Sequence, residues 1–195
     1  MKTIQEEYKE ALKTFREHTV ELTTKIFEDK GELVEPLVFA LIIKDKKVTM
    51  GMLAGLGKLF GSELGKEAAV EVIRKLSEDV KPIALAFCCE GYASVQRRKE
   101  GETAEDFLKS GWVKPSQDPD KKEVLFFTFE TFDKAAGTYL EIVRSKGNID
   151  LRLMHDIDWE EKDKSTVGGK FTNLLQDNYS EFAMTIKEDL KTLLN

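Results

Sequence analysis

Cysteine is nearly missing from this chain of 195 residues, and the two it has, Cys88 and Cys89, are neighbours. Adjacent residues of a strand point to opposite faces, so these two cannot build a disulfide framework, and buried, unreactive thiols are expected. Histidine is as scarce: His18 and His155 are the only two, and neither stands at ligand spacing from the thiols, which excludes a Cys/His zinc site. Long apolar runs are absent as well. The two longest, Leu37–Ile43 and Ile83–Cys89, fall far short of the roughly 20 residues that a membrane helix requires. Positive charge is not in excess either. Thirty basic against 36 acidic side chains leave a formal charge of −6, which works against nucleic acid and anionic membranes as partners. The basic cluster Arg97-Arg98-Lys99 runs straight into Glu100 and Glu102 and is locally cancelled. The opening MKTIQEEYKE has no apolar stretch of the secretory kind, and a cytoplasmic protein is expected.

What is present is a chain with 41% hydrophobic residues, long enough to bury roughly 70% of its unfolded surface without metal or disulfide help. Over residues 2–30, Ile4, Tyr8, Leu12, Phe15, Leu22 and Ile26 recur at helical steps, with Gly31 as the stop. EPLVFALIIKDKKVTMGML reads as a hairpin with a charged turn, and Leu64, Ala68, Val72, Leu76 and Val80 mark a second helix that ends at Pro82. Ile83–Glu90 is a third strand. It alternates between a large face (Leu85, Phe87) and a small one (Ala84, Ala86, Cys88), both apolar, so it is expected in the middle of a sheet beside the phenylalanine-rich Phe126, Phe127 and Phe129. EVLFFTFETFDKAAGTYLEIVRS supplies two more strands about a turn at Asp133–Gly137. HDIDWEEKDKSTVGG reads as a linker before a last helix at 168–194. The whole predicts one α+β domain over 1–195: a mainly antiparallel sheet of about five strands within 35–145, a long loop at 93–122, and long helices at both ends. This element order looks like that of roadblock and longin-type modules, which scaffold other proteins.

IALAFCCEGY, PSQDPDKKE and EVLFFTFE together resemble a group of small uncharacterised bacterial and phage-type proteins. In these an apolar strand ends in Glu, a small residue and an aromatic, here Glu90-Gly91-Tyr92, and a Pro-Ser-x-x-Pro segment, here from Pro115, precedes a hairpin. The resemblance spans Leu37 to Arg144. Tyr92 stands where the group more often has tryptophan, and the loop differs in length. The group carries no established activity, so the resemblance implies fold boundaries rather than chemistry.

No catalytic motif is complete. GSELGKE has one residue too few between its glycines for a phosphate loop and Glu67 in place of the hydroxyl residue. GMLAGLG lacks dinucleotide spacing and reads as a strand-to-helix joint. DIDWEEKD has Glu161 where a calcium loop needs glycine and Val167 where it needs glutamate. The cluster nearest to a metal site is His155, Asp156 and Asp158, with Glu160, and Glu90 as a further ligand. On these grounds a binding or scaffolding domain is expected, acting through a protein partner or as a two-fold dimer, with no cofactor and no intrinsic catalysis. The alternative is a divalent-metal hydrolase using Glu90, His155, Asp156 and Asp158. The expected contact residues are Glu90, Tyr92 and Arg97, with Phe107 and Trp112 as apolar anchors of a polar loop. Glu90 itself is expected to be a structural anchor, held by backbone amides or by Arg97, Arg98 or Arg144.

Overall fold

The computed structural model describes residues 4–44, 47–53, 56–94 and 113–162, together with positions 101, 103, 106, 109, 174 and 175. Its elements are helix α1 (Ile4–Lys30), strands β1 (Leu37–Lys44) and β2 (Lys47–Leu53), helix α2 (Glu63–Val80), and strands β3 (Ala84–Ala93), β4 (Lys122–Glu130), β5 (Lys134–Ser145) and β6 (Asn148–Glu161). All six strands join one antiparallel sheet in the order β2-β1-β3-β4-β5-β6. The α+β class and the antiparallel sheet are as expected, with six strands rather than five. Among the described residues, no helix is long and apolar enough to cross a membrane.

The extra strand is β6, which takes in the first part of the segment read as a linker, residues 155–161, and the stretch before it. Two β-bulges hide it, one where Tyr139 pairs with His155 and Leu140 with Leu153, the other between Ala135 and Gly137. Each bulge adds a residue and reverses the inside–outside phase, so the apolar positions Ile149, Leu151, Ile157 and Trp159 do not form one unbroken alternation with Met154. Of the helix expected at 168–194, only Leu174 and Leu175 are described, and both are buried and non-helical; the rest lies outside the described residues. The β4–β5 turn also closes earlier than expected, at Thr131–Asp133. The Thr131 hydroxyl accepts from the Lys134 amide at 2.9 Å and donates to Asp133 at 2.8 Å, a local network that ends β4.

The helices cover opposite faces of the sheet. Beneath α1, Leu12, Phe15 and Phe27 meet Phe39, Ala84, Ala86, Cys88, Leu125, Phe127 and Phe129. Beneath α2, Val70 and Ile73 meet Val38, Leu85 and Phe87, joined by Leu174 and Leu175. The small row of β3 therefore lies under α1. Phe127 pairs with Cys88 and Phe129 with Ala86, filling the space those small residues leave. On α1 the buried line runs Leu12, Phe15, Thr19, Thr23, Phe27, while Leu22 is turned to solvent. Gly31 stops the helix with φ +75° and its amide on the Phe27 carbonyl at 2.7 Å.

Helix α2 begins at Ser62, whose side chain caps the Gly65 amide at 3.0 Å, and ends at left-handed Lys81 ahead of Pro82. Its orientation differs from that implied by its apolar spacing. The buried residues are Ala69, Val70, Ile73 and Ser77, whereas Leu64, Ala68, Val72 and Val80 are exposed and Leu76 is half-buried. A row of apolar side chains four residues apart thus looks outward.

Candidate functional site

At the far end of β3 the buried face gives out, and Glu90 stands there next to Leu125 of β4. One of its carboxylate oxygens accepts the backbone N–H of Leu33 in the α1–β1 connection, and the other lies 3.9 Å from an Arg144 nitrogen. Arg144 forks onto Glu123 with two bonds of 3.0 Å, donates to the Gly31 carbonyl at 2.8 Å, and lies 5.6 Å from the Phe27 ring centre. A cation is thus set against the carbonyl end of α1, where the helix dipole favours it. Burial pushes the Glu90 carboxyl above its ordinary value, while the Leu33 amide and Arg144 pull the other way. Each charge in this cluster is already engaged by protein groups, which suits tying α1 to the sheet. Of the three arginines expected as partners, Arg144 is found at Glu90, and Arg97 and Arg98 lie outside the described residues. Tyr92, two residues on, is half-exposed with the Lys121 ammonium 4.6 Å from its ring centre.

Strand β6 separates the residues of the suspected metal cluster. His155 lies beside Tyr139, ring centres 6.2 Å apart. Asp156 lies beside Thr138 on the opposite face, under α1, where it accepts the Thr138 hydroxyl at 2.8 Å and binds Arg16. Arg16 also donates to the Thr138 hydroxyl at 2.9 Å and the Gly137 carbonyl at 3.1 Å, and its other terminal nitrogen is 3.6 Å from Asp158. Two strands, β4 and β5, stand between Glu90 and this group. Among the described residues, no three His, Cys, Asp or Glu side chains converge as metal ligands. An open cleft of about 880 Å³ beside α1 is lined by Arg16, Thr24, Asp156 and Asp158 among others, but its central cation is taken up by these internal bonds.

Both thiols lack the setting of a nucleophile. Cys88 is wholly buried and Cys89 half-buried, and burial pushes both well above the ordinary thiol range. Arg97, Phe107 and Trp112 lie outside the described residues. Reading the sequence alone missed Arg16, since an arginine beside an apolar stripe ordinarily snorkels to solvent. It also missed Glu130, which is 6% exposed, accepts the Leu175 amide, and has the Lys162 ammonium 3.4 Å away. The phase of its strand was the available signal, because Glu130 continues the buried alternation of Phe126 and Thr128.

The two edges of the sheet are built differently. Strand β6 is bulged twice and carries Asp150, Arg152, Asp156, Asp158, Glu160 and Glu161. Bulges and charges are what keep an edge strand from pairing with another chain. Strand β2 pairs with β1 without a register shift, from Val38–Leu53 to Lys44–Lys47. Its one charged residue is Lys47, and Val48 and Met52 are 44% and 52% exposed. Beside it, on the α2 face, an apolar groove of about 140 Å³ is bordered by Ile42, Gly51, Leu53, Leu76, Val80 and Pro82. This groove joins the β2 edge to the outward row of α2. Compared with known proteins, the chain matches no family model, no curated protein sequence and no solved structure.

Proposed function

We propose that this chain is a binding or scaffolding module that works through a protein partner or through self-association, without chemistry of its own. The observation that carries this reading is the β2 edge, unpaired on its outer side among the described residues and continuous through the apolar groove with the outward side chains of α2. Exposed apolar surface of this kind marks interaction sites, and a flat edge strand offers backbone groups to another chain. The charge of −6 supports a protein rather than a nucleic acid as partner, and free thiols suit a reducing, cytoplasmic setting.

The metal-dependent hydrolase with Glu90, His155, Asp156 and Asp158 is the competing reading, and it needs side chains on two faces and two distant strands to converge. Elemental analysis of the purified protein, combined with hydrolase assays on ester and phosphoester substrates, separates the two. We expect substoichiometric zinc and manganese and no turnover. One equivalent of either metal, with activity lost on chelation, would replace the interaction reading with the hydrolase.

A further inference from the structure

Resting on the interaction reading above, we propose that the chain forms a two-fold dimer by antiparallel pairing of β2 with β2 of a second copy, so that two sheets become one. Strand β2 reads Lys-Val-Thr-Met-Gly-Met-Leu over 47–53, and it is self-complementary about Met50. With the two-fold axis on Met50, Val48 of each copy falls opposite Met52 of the other, and Thr49 falls opposite Gly51. Val48 and Met52 are the most exposed apolar side chains of the strand. Period-two alternation places both on the α1 face with Met50, so they meet as cross-strand neighbours. Lys47 falls opposite Leu53, and the two copies' lysines lie at opposite ends of the pair, roughly 20 Å apart at the rise of a strand. No like charges meet.

Strand β6 could not pair with itself this way, because its bulges and six charged side chains interrupt any flat register. On the other side of the joined sheet, pairing brings both α2 helices to the same face. Leu76 and Val80 of each then flank the axis together with Leu53. Gly51 leaves room there, since a Cβ built on it finds no atom within 4 Å. A glycine inside a strand often marks such a close approach. One strand and one helix flank per copy amount to roughly 1,000 Å² of buried surface, at the small end of specific interfaces, so dissociation in the micromolar range is expected.

Sedimentation velocity from low to high micromolar concentration tests this. The wild-type mass is expected to rise from one chain to two. The double variant V48K/M52K sets four lysines around the axis and is expected to stay a monomer throughout, whereas V48K/M52E sets opposite charges across it and is expected to restore the rise. Both positions face solvent, and circular dichroism confirms that each variant is folded. In the wild type, hydrogen exchange of the β2 amides is expected to slow at least several-fold as concentration rises, which needs no variant. A wild type that remains monomeric overturns the proposal and leaves the module to act through a different protein. A wild type that dimerises while V48K/M52K dimerises equally well overturns the β2 interface and leaves self-association standing.

Discussion

Arg144 and Glu123 meet side on, with the guanidinium Nε and Nη2 each 3.0 Å from a separate carboxylate oxygen. The same guanidinium holds the Gly31 carbonyl, so one side chain of β5 reaches both β4 and the end of α1. Arg144→Lys keeps the charge but cannot reproduce the fork and the carbonyl bond together. A loss of about 1 kcal/mol is expected, kept small by the solvent exposure of the pair, and Arg144→Leu should lose more. Urea melts measure both; a lysine variant as stable as the wild type would mean that the pair has no structural role.

Glu90 titrates in the opposite sense from a surface carboxylate. Burial holds its proton more tightly in the folded protein than in the unfolded chain, so the protonated form favours folding. That contribution is fully present below the ordinary carboxylate range and is lost as pH rises through the raised value. Glu90→Gln imitates the protonated state and should cost less than about 1 kcal/mol at neutral pH, whereas Glu90→Ala strands the Leu33 amide and should cost about 1–2 kcal/mol. Melts of the three proteins at acid and neutral pH check the order. Equal losses in both variants would mean that the charge itself holds α1 down.

The thiols give a quick test of the core. With Cys88 wholly buried and pushed upward, it should react with a disulfide reagent at less than about one hundredth of its unfolded rate, and more slowly than half-buried Cys89. Rapid labelling of Cys88 without denaturant would show that β3 opens.

Gly65 should resist the substitution that helices ordinarily welcome. Alanine in a helix interior is worth about 1 kcal/mol over glycine, but a Cβ here would collide with the Leu59 carbonyl oxygen and stand 2.9 Å from its carbon. Gly65→Ala is expected to destabilise by about 1–3 kcal/mol. Gly61→Ala, with no atom within 4 Å of its Cβ, should be close to neutral. A stabilised Gly65→Ala would show that the turn before α2 gives way freely.

Much of the architecture was legible where periodicity and burial agree. Leu12, Phe15 and Gly31 set out α1, and the alternation of Ala84 to Cys88 placed β3 inside the sheet with Phe127 and Phe129 beside it. Strand β6 was illegible for a definite reason: its bulges break period two, and its charges imitate a loop. The apolar row Leu64 to Val80 marked α2 as a helix but not its buried face, because most of that row looks outward. Glu90 was legible as an anchor because polarity begins where an apolar strand ends, but its Leu33 partner depends on where the chain returns after α1. Arg16 with Asp156 is a pairing across 140 residues, beyond the reach of any local pattern.

The two sides of the sheet also differ in when their parts become available. Among the described residues, the core under α1 is complete by Trp159, whereas the core under α2 draws on Leu174 and Leu175, and buried Glu130 receives its amide donor from Leu175. As the chain emerges from a ribosome, the described pieces of the first face are all present while Val38, Leu85 and Phe87 still lack the cover of Leu174 and Leu175. A message cut short before codon 174 would therefore yield a protein whose α2 side is left sticky, which is the kind of product that chaperones and proteases intercept.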